Sequence, residues 1–206
     1  MSDWDYRGIW ASPRKAVLTP LFGNHQTFED GQEEDTVYYE LRHYVKLAAN
    51  MNPNVLETLW IPLEKFDIAE TPYMFLRNIR DSFMSKQIAT TTIGYATAEF
   101  SRVKKKLERT GAMSHKNAMH VVRLMRMGME ALQTGQYNVE RPDADELLHI
   151  KNGGWTLDEL EAYTNDMYAK MKKVELTTDL PESPDREEIA ETVWDIYNLT
   201  WSLHDD

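Results

Sequence analysis

The spacing of hydrophobic positions changes character along the chain. From Tyr6 to Ser12, aromatic and β-branched residues run together and stop at Pro13, which is the pattern of a strand. Asp35-Thr36-Val37-Tyr38-Tyr39-Glu40 is a second run of β-formers. It passes directly into Leu41, Tyr44, Val45 and Ala48, whose three- and four-residue spacing predicts a helix ending near Asn50–Asn52, ahead of Pro53. Val55, Leu56, Leu59 and Trp60 predict a short second helix. From about Thr71 the spacing is helical, with candidate helices at 71–83, 85–110, 115–134, 143–151, 156–175 and 185–203. Residues 13–34 carry Pro13, Pro20, Gly23, Asn24 and Gly31 and an acidic cluster from Glu29 to Glu34; they read as a loop with a short strand at 16–18.

The breaks have their own chemistry. Gly111 and Gly135 follow helical stretches as C-caps, Gly153-Gly154 separates two more, and Thr156-x-x-Glu159 is a capping box. Leu180-Pro181-Glu182-Ser183-Pro184-Asp185 links to the last helix. No internal repeat and no low-complexity segment is present. The pattern predicts an α+β chain. A small, truncated α/β part occupies residues 1–65, and a helical part, 66–206, is packed against it.

Composition narrows the function classes. The chain has 206 residues, enough for one sizeable domain or two small ones, and its hydrophobic content of 42% allows a packed core. It has no cysteine, which removes disulfides, thiolate metal sites and a thiol nucleophile. No apolar run reaches the roughly 18–20 residues of a membrane span, and no signal-peptide pattern opens the sequence, so a cytoplasmic protein without a membrane partner is expected. A net charge of −11 argues against a broad surface for nucleic acid while leaving room for a local phosphate pocket or a metal that screens one.

Three constellations bear on chemistry. Asp3 and Asp5 are two residues apart, so in an extended segment both carboxylates point to one face, an arrangement suited to a hard divalent cation such as Mg²⁺. Asp35 and Glu40 lie at the two ends of the second strand, five positions apart; they face opposite ways, and only one can join the pair. On the helix 115–134, Lys116, His120, Arg123, Met127 and Glu130 share one narrow face, while Ala118, Val122, Met125, Met129 and Leu132 form an opposite, core-like one. The first face suits a triphosphate or an RNA phosphate. Lys104-Lys105-Lys106, with Arg102 and Arg109, spread around a helix and read as a solvated end. Trp194, Tyr197 and Trp201 read as core packing, and His25 and His43 have no matching ligand set for zinc.

The order of these pieces resembles one family. Ser2-Asp3-x-Asp5-Tyr6-Arg7-Gly8, then Asp35-Thr36-Val37-Tyr38-Tyr39-Glu40-Leu41-Arg42, then Asn52-Pro53-Asn54-Val55-Leu56-Glu57-Thr58-Leu59 is similar to predicted nucleotidyltransferases of the DNA polymerase β superfamily, in the branch associated with RNA repair. Ile93-Gly94-Tyr95-Ala96, Lys116-x-x-x-His120-x-x-Arg123-Leu124, Glu130-x-Leu132-x-x-Gly135 and Leu180-Pro181-x-x-Pro184-Asp185 agree with it, so the resemblance covers nearly the whole chain.

The resemblance implies Mg²⁺- or Mn²⁺-dependent transfer of a nucleoside monophosphate from an NTP to a hydroxyl acceptor. The acceptor stays open among RNA or tRNA ends, a protein partner and a small molecule. It also implies that Asp3, Asp5 and a third carboxylate hold the metal, with Glu40 preferred and Asp35 as the alternative. Arg7, Lys116, His120 and Arg123 form the expected phosphate- or acceptor-binding set. In the family a Gly-Ser turn and a helix precede the Asp-x-Asp strand, whereas here only Met1 precedes Ser2. The sequence therefore carries two expectations: an enzyme that transfers nucleotides slowly or not at all by itself, or a non-catalytic relative that binds a nucleotide, RNA or a protein.

Overall fold

The structure, a computed structural model, describes residues 5–19, 27–30 and 35–204. In chain order its elements are β1 (Asp5–Trp10), α1 (Arg14–Leu18), β2 (Thr27–Asp30), β3 (Asp35–Glu40), α2 (Leu41–Ala49), α3 (Pro53–Leu56), α4 (Thr71–Asn78), α5 (Gln87–Thr110), α6 (His115–Thr134), α7 (Ala144–Lys151), α8 (Leu157–Glu175) and α9 (Arg186–His204). Short 3-10 turns occupy Glu57–Trp60, Leu63–Lys65 and Arg80–Phe83. The α+β class is as the sequence predicts.

The division of the chain is not a single cut near residue 65. One compact unit comprises Met1–Asn50, Pro62–Phe83 and Asp185–Asp206, and the other comprises Met51–Ile61 and Met84–Pro184. The last helix supplies the reason. Trp201 donates its indole N–H to the Ser12 carbonyl at 3.0 Å, and Tyr197 donates its hydroxyl to Glu40. Sequence distance hid these bonds, because hydrophobic spacing marks a helix and not its partner.

In the first unit, β3 is the central strand. It pairs in parallel with β1 and antiparallel with β2, giving the order β1-β3-β2. The strand β2 was not legible in a stretch rich in Gly, Asn and acidic residues, and 14–18 is a helical turn, not the short strand expected at 16–18. Gly8 is the register partner of Tyr38, and a Cβ at Gly8 would stand 2.3 Å from the Tyr38 ring, so the glycine lets that ring lie across β1. As predicted, Leu41, Tyr44, Val45 and Ala48 are buried on α2. On α9, Ile189, Ile196, Tyr197 and Trp201 are buried, whereas Trp194 is 58% exposed and does not belong to the core expected for it.

The second unit is built on α5 and α6. Ala96, Val103, Val122, Met125, Leu160 and Met167 belong to one buried cluster, which α7 and α8 complete. Of the predicted core face of α6, Ala118, Val122, Met125 and Leu132 are fully buried and Met129 partly so. Met127, placed on the polar face by spacing, is buried as well. Gly111 and Gly135 end α5 and α6 at φ 69° and 72°, a backbone region that glycine occupies without Cβ strain. Thr156 and Glu159 form the capping box at α8, where the Glu159 carboxylate accepts the Thr156 N–H at 2.7 Å. Two partly buried arginines stitch α6 to α7 and the segment before it. Arg141 donates to Glu130 at 2.5 and 2.8 Å and to Asp143 at 2.8 Å. Arg126 donates to Asp143 at 2.6 Å and to Glu146 at 2.7 and 2.9 Å.

Among the described residues, no helix is long and apolar enough to cross a membrane.

Candidate functional site

The acidic residues singled out by the sequence fall in the first unit. Asp3 lies outside the described residues. Asp5 opens β1 and Asp35 opens β3, and the parallel register makes them Cα partners. Neighbouring strands are about 4.8 Å apart, so two acidic residues stand side by side at one end of the sheet. Two carboxylate-bearing residues in register at one sheet end are the oxygen-donor chemistry that a hard divalent cation takes. The donor set at this end of the sheet therefore fits a hard cation. Among the described residues, no group of three or more His, Asp or Glu side chains forms a metal cluster.

Glu40 is elsewhere and is otherwise engaged. It pairs with Trp10 at the opposite end of β3, five residues from Asp35, or roughly 16 Å along the strand. The residue is 2% exposed. It caps α2 by accepting the Arg42 backbone N–H at 3.0 Å, accepts the Arg42 Nε–H at 3.2 Å, and accepts the hydroxyl of Tyr197 from α9. Burial, and then the Glu40 carboxylate, push the Tyr197 phenol well above its ordinary pKa, keeping it protonated as the donor. Asp35 is thus the register partner of Asp5, whereas Glu40, at the other end of β3, caps α2 and is buried.

The second candidate set is gathered in the second unit. Lys116, His120 and Arg123, all on α6, line one cleft of about 360 Å³. Opposite them stand Asn54 and Glu57 from the α3 region, with Tyr95 and Glu99 from α5. Leu124, Met127 and Tyr137 supply apolar surface. The charges are partly spent on each other. Arg123 donates to Glu57 at 2.7 Å, and Glu99 pairs with Arg102 and accepts the Asn117 amide at 3.0 Å. No hydrogen bond or ion pair engages Lys116 or His120 among the described residues. Burial lowers the pKa of His120, and Arg123, Lys116 and Lys151 lower it further against the opposing pull of Glu99. At neutral pH its imidazole is therefore uncharged, offering one donor and one acceptor. Burial, then Glu57, raise the Tyr137 phenol well above its usual range, so its hydroxyl stays protonated.

Arg7 lies in β1, in the first unit; it is exposed and donates to the Tyr6 carbonyl at 3.1 Å. Sequence reasoning missed Glu57, Glu99 and Tyr137 as parts of the cleft. Glu57 stood inside the quoted Asn-Pro-Asn-Val-Leu-Glu motif, and Tyr95 and Glu99 share a helix face four residues apart, but nothing in linear spacing joins α5 to α6.

A family model described as RNA repair pathway DNA polymerase beta family (RlaP) matches residues 1–195. No curated protein and no solved structure matches the chain.

Proposed function

From the premise that this chain belongs to the RNA repair pathway DNA polymerase beta family, and so is a polymerase-β-like nucleotidyltransferase of the RNA-repair branch, we propose the finer reaction. It is the transfer of a nucleoside monophosphate from an NTP to a hydroxyl of an RNA end, dependent on Mg²⁺ or Mn²⁺. The acceptor oxygen forms a bond to the α-phosphorus, the α–β bridging bond breaks, and pyrophosphate leaves while the hydroxyl gives up its proton. Asp3, Asp5 and Asp35 are the residues proposed to hold the metal, which when bound supplies charge neutralisation at the phosphates. The chain's own contribution is positional: two strands in parallel register bring two carboxylate-bearing residues to one sheet end. That register pairing of Asp5 with Asp35 is the observation that carries the reading. The cleft residues Lys116, His120 and Arg123 support a phosphate-bearing ligand in the second unit.

The test is incorporation of label from an α-labelled NTP into short RNA acceptors in Mg²⁺ or Mn²⁺, comparing the wild-type chain with Asp5→Asn. Incorporation lost in the variant and in chelator supports the proposal. Equal incorporation by both proteins refutes it. Absence of transfer in both, with nucleotide still bound, identifies a non-catalytic binding relative instead.

A further inference from the structure

The cleft of the second unit has more carboxylate than a simple phosphate site tolerates. Glu57 and Glu99 line the same cavity as Lys116 and Arg123, and a bare phosphate would be repelled by the first pair as it is drawn to the second. The charge count is also informative. Arg123 is matched by Glu57 at 2.7 Å, and Glu99 by Arg102. What remains is the single positive charge of Lys116, since burial keeps His120 neutral near pH 7. One positive charge suits one phosphodiester, which carries one negative charge, and falls far short of a triphosphate.

Carboxylates in such a place are suited to hydroxyl groups. An ionised carboxylate is an acceptor only, with about four lone-pair sites, so Glu99 has capacity left after Asn117 and Arg102. The donors that travel with a phosphodiester are ribose hydroxyls, and the 2′-hydroxyl is what distinguishes RNA from DNA. The remaining surface, Tyr95, Leu124 and Met127, is of the kind against which a base packs. A cavity of about 360 Å³ falls in the range of small-ligand clefts.

We propose that this cleft is a ribose-phosphate site that holds one nucleotide of an RNA strand through its phosphodiester on Lys116 and its ribose hydroxyls on Glu99. It deepens the function above by naming the acceptor's recognition site, and rests on that function for what the held RNA is used for. A free mononucleotide shares part of this chemistry, so the test separates the two sources.

The experiment is metal-free calorimetric titration of the wild-type chain with the ribodinucleotide ApA, its deoxy counterpart, AMP and ATP. ApA is expected to bind about tenfold or more tightly than the deoxy dinucleotide, as loss of a hydrogen bond to a charged group implies. ATP is expected to bind more weakly than ApA. Lys116→Ala is expected to weaken ApA binding and flatten its salt dependence. Glu99→Gln is expected to erase the preference for ribose while keeping phosphate binding. AMP binding as tight as ApA would overturn the RNA-strand assignment in favour of a free-nucleotide site. Equal affinity for ribo- and deoxydinucleotide, tighter binding of ATP, or no saturable binding of ApA would each overturn the proposal. Binding of ApA without nucleotidyl transfer would defeat only the catalytic reading, and transfer without ApA binding would defeat only this one.

Discussion

Asp5 and Asp35 are partners across the parallel β1–β3 ladder, although 30 residues separate them in the sequence. Like charges directly opposite on adjacent strands are destabilising, and the proposed divalent ion would offset that cost.

Replacing Asp35 by Asn should therefore raise the melting temperature slightly in chelator. In Mg²⁺ or Mn²⁺ the order should invert, because a ligand that binds only the folded state stabilises in proportion to its occupancy. Thermal melts of wild type and variant, with and without metal, give the answer in four curves. An equal metal response in both proteins would remove Asp35 from the site.

Glu40 and Tyr197 predict a different kind of defect. The buried carboxylate caps α2 and accepts from α9, so Glu40→Ala leaves the Arg42 and Tyr197 donors without their acceptor. The expected loss is about 2–4 kcal/mol of stability. Tyr197→Phe, which removes one donor and keeps the ring stack on Trp201, should cost about 1–3 kcal/mol. Denaturant titration measures both; unchanged midpoints would show that the bond does not hold α9.

His120 sets a pH dependence. Its folded pKa lies below the ordinary value of 6.5, so on acidification the unfolded chain takes up a proton first. The stabilising contribution is complete above about pH 6.5 and is lost as the pH falls through the folded value. His120→Gln should flatten that part of the stability profile. Asp143 and Glu146 act in a lower window. Hydrogen bonds from Arg141 and Arg126 hold Asp143 below its usual value against the opposing effect of burial, and those from Arg126 lower Glu146. Their contribution is present above about pH 4.5 and disappears as the carboxylates protonate. A profile of wild type and His120→Gln that coincides from pH 7.5 to 5 would contradict the first assignment.

Arg141 is only 7% exposed at its side chain and holds Glu130 and Asp143 together. Arg141→Met removes the charge and takes both donors from Glu130, while Asp143 keeps only Arg126. A loss of about 2–4 kcal/mol is expected, and a lysine at this position should recover only part of it, because one ammonium cannot reproduce the forked donors. Chemical denaturation of the three proteins checks the order.

The helical part of this fold was legible because its signals are local. The run from Leu41 to Ala48, the capping box at Thr156 and the glycines at 111 and 135 act within a few residues of themselves. What could not be read is non-local. Nothing near Tyr197 announces that its hydroxyl reaches Glu40, 157 positions away. That bond, with Trp201 on Ser12, decides which unit α9 joins. Which of Asp35 and Glu40 lies beside Asp5 likewise depends on register: five residues of strand span about 16 Å, and only pairing with β1 places Asp35 there. Spacing did gather Lys116, His120 and Arg123, since they share one helix face, but their counter-charges Glu57 and Glu99 come from other segments.

The most direct test of the central claim is the metal-dependent nucleotidyl-transfer rate of Asp35→Asn and Glu40→Gln measured side by side, each normalised to folded protein. The account predicts that Asp35→Asn falls by about 100-fold or more, the scale of losing one preorganised electrostatic group at a reacting centre. It predicts that Glu40→Gln, which keeps a hydrogen-bonding cap, stays within about threefold of wild type even as its stability drops. Transfer that survives in Asp35→Asn and vanishes in folded Glu40→Gln would contradict it.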